Sequence, residues 1–166
     1  MNTKKLVLCG LMSALVCIAT MIIQVPVPGT NGYVNIGDSM IFVTSILFGP
    51  IPGMICGGIG SFLADIFSGY AHWALYSLII KGLEGFVVGV LISKGYSLLK
   101  SILATVLGGI VMVIGYLFAG AILYGSLAAS ITSVPSNLMQ AFFSILIAVP
   151  ISYLFVQNKF IKNLLK

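Results

Sequence analysis

The sequence predicts an all-α integral membrane protein: a bundle of six transmembrane helices with both termini cytoplasmic. Three observations carry that prediction. Apolar side chains make up 60% of the 166 residues and charged ones only 7%, with a mean hydropathy of +1.18. Soluble domains carry roughly 25% charged residues, so this chain needs lipid as its solvent. In lipid the backbone must satisfy its own hydrogen bonds, which leaves helices or a closed barrel. The apolar runs do not alternate as the strands of about ten residues in a barrel would, so helices are predicted. The third observation is the placement of the lysines, taken up below.

Helices are predicted near 6–23, 36–49, 52–68, 73–93, 101–124 and 135–157, forming a single transmembrane domain over 1–166. The run from Leu6 to Ile23 follows Lys4 and Lys5 and resembles a secretory leader. At 18 residues it exceeds the roughly 7–15 of a leader's apolar region. Leu8, not a small residue, precedes Cys9, so lipoprotein-type cleavage is not expected and the run is read as a retained helix. Between the helices, turn chemistry marks the breaks. Residues 24–35 hold Pro26, Pro28, Gly29, Asn31 and Gly32 and read as a long loop, whereas Gly49-Pro50-Ile51-Pro52-Gly53 reads as a sharp stop. Breaks also fall at 68–72 and 125–135. The second and third helices fall short of the roughly 20 residues of a perpendicular span; they are expected to tilt, to sit partly at the interface, or to be extended by their loops.

With six spans, the termini share a side with the second-to-third and fourth-to-fifth connections. Lys4, Lys5, Lys94, Lys100, Lys159, Lys162 and Lys166 all fall there, none falls on the opposite face, and Lys81 alone lies inside a span. Basic loops stay cytoplasmic, and an amphipathic tail from Lys159 to Lys166 is expected on the inner leaflet. The net charge of +5 is thus a topology signal, and no nucleic-acid partner is expected. Cys9, Cys17 and Cys56 sit inside apolar runs and read as small core residues. Gly57-Gly58-Ile59-Gly60 reads as helix packing, not a phosphate loop. There is no Walker motif, no metal-ligand spacing around the sole histidine, His72, and no nucleophilic constellation, so neither an enzyme nor a cofactor or metal is expected.

Polar groups inside spans are costly and are candidate functional sites. At about 1.5 Å per residue, Asn35 just before the second helix and Asp38 on it, Asp65 on the third, His72, Trp73 and Tyr76 opening the fourth, and Asn137 and Gln140 opening the last all lie near the outer face. Tyr116 lies somewhat deeper. The inner halves of these helices are nearly bare of polar groups. A channel would be polar along its length; this asymmetry describes a pocket open outward. Lys81 and Glu84, at i and i+3, share a face and can pair, either locking helices together or serving a ligand. Each candidate also has a structural reading: Asp38 as a helix cap, Asp65 on neighbouring backbone, Trp73 and Tyr76 as interfacial belt aromatics, Asn137 and Gln140 as inter-helix glue, His72 as a solvated loop residue. Gly10 and Ala14, at i and i+4 on the first helix, let another helix approach closely, within the bundle or from a partner.

The stretch Gly32-Tyr-Val-Asn-Ile-Gly-Asp-Ser-Met-Ile-Phe, Leu47-Phe-Gly-Pro to Gly53, Gly60 to Asp65, Ser68-Gly-Tyr and Ile80-Lys-Gly-Leu-Glu-Gly-Phe resembles the substrate-binding S components of energy-coupling factor (ECF) vitamin transporters. The resemblance is strongest to the riboflavin, hydroxymethylpyrimidine and pyridoxine branch, and runs from the first helix to the last. It implies a six-helix subunit in a bacterial cell membrane that captures a vitamin from outside, and that works with a transmembrane T component and two cytoplasmic ATPases. It also implies that Gly10 and Ala14 stand at the family's docking motif for the T component, with Gly where the family usually has Ala. The candidate pocket combines aromatics, amides and carboxylates with one basic side chain, which suits a small neutral heteroaromatic ring. Hydroxymethylpyrimidine or a B6 vitamer such as pyridoxine fits best; riboflavin is the larger alternative. A proton-coupled secondary carrier working through Asp38, Asp65 or Glu84 is the rival reading, although no internal repeat of the kind many carriers show is evident.

Overall fold

The computed structural model describes residues 3–27 and 32–157. Its elements, in chain order, are α1 (Thr3–Ile22), β1 (Gln24–Pro26), β2 (Tyr33–Asn35), α2 (Gly37–Phe48), α3 (Pro50–Phe67), α4 (Ala71–Ile92), α5 (Leu98–Tyr124), α6 (Leu127–Ile131) and α7 (Val134–Gln157). Five spans, the last joining α6 to α7, are long and apolar enough to cross a membrane; α2 is the short sixth helix. The six predicted helices therefore stand, with ends shifted by up to three residues. The tail from Lys159 to Lys166 lies outside the described residues.

Two features depart from the sequence reading. Residues 24–35 hold a short antiparallel hairpin, with Gln24 opposite Asn35 and Pro26 opposite Tyr33. Pro26 is tolerated because a two-stranded ribbon has only edge strands, where a missing N–H breaks no ladder. The break at 125–135 contains the one-turn helix α6, capped by Ser126, whose side chain accepts from the Ala129 N–H. Elsewhere the punctuation acts as read. Gly125 ends α5 at φ 64°, the left-handed conformation that glycine adopts without penalty. Pro50 opens α3 at its first turn, where its missing N–H leaves no bond unmade.

The bundle inverts a soluble protein. On α4, Leu75, Ile79 and Leu83 are exposed while Trp73, Ser77, Lys81 and Glu84 are buried. Around the bundle α1 packs on α3, α3 on α4, α4 on α5 and α5 on α7, while α2 lies against α1, α3, α4 and α7. The tightest seam joins α3 to α4. A Cβ on Gly85 would stand 2.3 Å from the Gly53 carbonyl oxygen, and one on Gly57 would stand 2.7 Å from that of Lys81. Without a hydrophobic drive between helices in lipid, such close backbone contact supplies the association. The packing role read for the 57–60 glycines is thus seen directly: Gly58 meets the Leu78 carbonyl and Gly60 the Ser13 carbonyl of α1. The three cysteines are buried and unpaired with one another, as small core residues would be.

The shortness of α2 positions the site. Its 12 residues span only about 18 Å at 1.5 Å per residue. It begins low in the bundle, where Asp38 bonds Lys81, ten residues below the start of α4. The hairpin occupies the space above.

Candidate functional site

A cavity of about 50 Å3 opens beneath the hairpin, at the end of the bundle where α3, α4 and α7 meet it. Three helices deliver its polar groups by spacing alone. Trp73, Ser77 and Lys81 stand at i, i+4 and i+8 on α4; Ser61 and Asp65 at i and i+4 on α3; Ser133, Ser136, Asn137 and Gln140 around the start of α7. Tyr116 and Tyr124 come from α5, Thr20 from α1, and Tyr33 and Asn35 from the hairpin.

At the floor, the Lys81 ammonium donates to Asp38 Oδ1 and lies 3.2 Å from Glu84 Oε2. All three side chains are essentially inaccessible, Lys81 at 2% exposure and Glu84 at 0%. The Lys81–Glu84 pairing expected from their spacing is present, but the principal partner of Lys81 comes from α2. Asp38 therefore departs from its expected outer position and from a capping role: α2 has no side-chain cap, and the Asp38 carboxylate closes a network across three helices. Its Oδ2 accepts from Gln140 Nε2 at 2.8 Å, while Gln140 Oε1 accepts from the Asn35 N–H at 2.8 Å. Gln140 is thus inter-helix glue and cavity wall together. Asn35 Oδ1 in turn accepts from the Gly37 N–H, tying the hairpin to the start of α2.

The walls are aromatic. Trp73 is 8% exposed and lies edge-on to Tyr116, with centroids 5.7 Å apart, and to Tyr124 at 6.0 Å. It is a buried wall, not a belt residue. The Tyr116 hydroxyl shares a 2.8 Å hydrogen bond with Ser77, and its ring lies 5.3 Å from the Lys81 nitrogen, within cation–π range. At the roof the Tyr33 hydroxyl donates to Asp65 Oδ1 at 2.7 Å, and Gln24 donates to Ser68 at 2.7 Å. Burial, with the Asp65 carboxylate beside it, raises the Tyr33 hydroxyl above its ordinary range, so it remains a proton donor.

Of the residues singled out from sequence, Asn35, Asp65, Trp73, Lys81, Tyr116, Asn137 and Gln140 line the cavity. Asp38 and Glu84 lie behind Lys81 and act on it. Tyr76 packs against the cluster containing Trp73 without lining the cavity. His72 sits at the exposed start of α4, its ring 6.1 Å from that of Trp73, and does not line the cavity either. The serines at 61, 77, 133 and 136 were missed, although their helical spacing to Asp65, Lys81 and Gln140 was legible. Tyr33 was missed because only the hairpin brings it to Asp65. On α1, Cys9, Ser13, Val16, Cys17 and Thr20 face inward. Gly10 and Ala14 are exposed on the other side, and among the described residues a Cβ added at Gly10 meets nothing beyond its own helix backbone within 4 Å.

A lipid-facing bundle with a polar and aromatic chamber beneath its hairpin has the form of a small-molecule-handling membrane transport subunit. Residues 1–156 match the family of S components of ECF-type riboflavin transporters, and the chain belongs to that family: it is a multi-pass membrane transport subunit, not an enzyme. Among its relatives are an uncharacterized protein of Pyrococcus woesei, 43% identical over 140 residues (84% of this chain, 93% of the relative), and the thiamine precursor transporter HmpT of Lactococcus lactis, 34% identical over 125 residues (75% of this chain, 71% of HmpT). The fold is that of the S component of a bacterial ECF transporter, with a TM-score of 0.73 at 19% identity over 95% of this chain and 98% of the other. It is also similar to the S component for biotin from an ECF-type transporter, with a TM-score of 0.60 at 16% identity over 91% and 94% of the two chains.

Proposed function

We propose that this S component captures a hydroxymethylpyrimidine-type thiamine precursor from outside the cell. The reading is carried by the make-up of the chamber: Trp73 and Tyr116 wall it with aromatic rings, and Asn35, Asp65, Asn137 and Gln140 supply polar groups, a lining that suits a small heteroaromatic ring. The similarity to HmpT points to the same class of ligand. Among the described residues Lys81 is the one cation lining the chamber, and it is already held by Asp38 and Glu84, so an anionic ligand gains little there. Asn35, Asp65, Trp73, Lys81, Tyr116, Asn137 and Gln140 are the proposed contacts. The lysine asymmetry puts the hairpin end outside, and the chain forms a single transmembrane domain.

The test is a titration of the detergent-purified protein followed by Trp73, the sole tryptophan. Hydroxymethylpyrimidine is expected to change its fluorescence with a Kd below about 1 μM, and pyridoxine and riboflavin are expected to bind at least about tenfold more weakly. Tighter binding of riboflavin would replace the proposed ligand with the one for which the family is described.

Association with a T component and its ATPases follows from membership of the family, and the open Gly10–Ala14 stripe of α1 is the proposed contact. Gly10→Leu is expected to abolish co-purification with the T component while leaving ligand affinity within about twofold, since among the described residues no other helix lies over Gly10. Retained co-purification would place the docking surface elsewhere.

A further inference from the structure

The chain has three acidic residues, Asp38, Asp65 and Glu84, and they are not equivalent. Asp38 is saturated by Lys81 and Gln140. Glu84 lies behind Lys81 and does not reach the chamber. Asp65 lines the chamber at 5% exposure, and its two oxygens differ. Oδ1 accepts from Tyr33. Oδ2 is buried and, among the described residues, has no hydrogen-bond partner. The Ser77 hydroxyl, which shares a hydrogen bond with Tyr116, lies beside the Asp65 carboxylate without completing a hydrogen bond to Oδ2. A buried acceptor left unmade costs free energy that a ligand donor would recover.

We infer that Asp65 Oδ2 is the specificity-determining acceptor of this site, reading an N–H donor on the ligand's ring, such as the exocyclic amine of an aminopyrimidine. The inference rests on the hydroxymethylpyrimidine reading and deepens it. The geometry assigns direction as well as contact. Tyr33 holds Oδ1 and so fixes the rotation of the carboxylate, leaving Oδ2 as its unmade acceptor at the chamber wall. A ring carrying a carbonyl in place of the amine would set lone pairs against Oδ2. A ring bearing a hydrogen there would leave Oδ2 unmade. Selection thus works by exclusion as much as by attraction, as in sites built around one buried polar group.

The experiment compares hydroxymethylpyrimidine with its analogue carrying a ring carbonyl in place of the exocyclic amine, in the full-length protein in detergent. The wild-type protein is expected to favour the amine by about 100-fold or more, within the range reached by sites that read one hydrogen bond. In Asp65→Asn, nearly isosteric, the side-chain oxygen stays with the Tyr33 donor and the NH2 takes the Oδ2 position, where it donates to the carbonyl analogue and cannot accept from the amine, so the preference is expected to fall below about tenfold or to reverse. Tyr33→Phe removes only the donor to Oδ1 and is expected to keep the amine preference. Equal wild-type affinity for the two rings, or an undiminished preference in Asp65→Asn, would overturn the inference while leaving the ligand class standing. Loss of the preference in Tyr33→Phe would assign the selection to the hairpin tyrosine. Binding of neither ring by folded wild-type protein would remove both readings together.

Discussion

Replacing Lys81 with methionine is expected to cost roughly 3–5 kcal/mol of folding stability, the range seen when one partner of a buried ion pair is removed. The substitution is close in shape, so little of that loss comes from packing. It leaves Asp38 and Glu84, both within reach of the same vanished ammonium, as uncompensated carboxylates at essentially zero exposure. Glu84→Gln is the informative counterpart. The three groups carry two carboxylates against one ammonium, and neither Glu84 oxygen makes a hydrogen bond among the described residues. Removing that charge leaves Lys81 and Asp38 balanced, so the cost is expected to stay within about 1 kcal/mol. Thermal unfolding in detergent, read by Trp73 fluorescence, separates the two. A larger loss from Glu84→Gln than from Lys81→Met would show that Glu84, not Asp38, is the working counterion.

Gly85→Val is expected to destabilise by about 3 kcal/mol, at the upper end of ordinary overpacking. The obstacle is backbone: a Cβ would stand 2.3 Å from the Gly53 carbonyl oxygen and 2.6 Å from its carbon, and no side-chain rotation relieves that contact. The helices must separate, which also moves Lys81, one turn away on α4, relative to Asp38. The same unfolding measurement therefore should show a lower midpoint together with weaker ligand binding. Gly10→Ala is the matched control. It too adds a Cβ to a helix, but into open space, and is expected to be neutral or to stabilise by up to about 1 kcal/mol through helix propensity. A Gly85→Val protein as stable as the parent would mean that the α3–α4 seam is looser than described.

Much of the site was legible because helices convert spacing into direction. Trp73 and Lys81 are two turns apart, and Asn137 and Gln140 stand at i and i+3; once the spans are placed, each set must share a face. The depth of Asp38 was not legible. Counting residues from a membrane boundary assumes that each helix begins there, and α2 does not. The hairpin fills the outer part of that column, so Asp38 falls to the level that the Lys81 ammonium reaches. Nothing within the segment 24–35 announces this, because a ribbon of three residues per strand is too short to show an alternation, and its prolines read as loop. His72 and Tyr76 show the converse error. They open α4 at the right level, but on parts of its surface that the cavity does not use, and the facing helices alone decide which those are.

By itself, the sequence determined the solvent this protein folds in, its six principal helices, the side of the membrane that each connection prefers, and the closeness with which α3 and α4 can meet. These follow from composition, run length, lysine placement and glycine spacing, all local properties that a linear reading captures. Only the tertiary structure decided which groups share the chamber. Tyr33 reaches Asp65, Asn35 reaches Gln140 and Asp38 reaches Lys81 across separations of 32, 105 and 43 residues. A contact between distant segments depends on where each helix starts along the membrane normal and on how it is rotated about its axis. Packing against neighbouring helices sets both quantities.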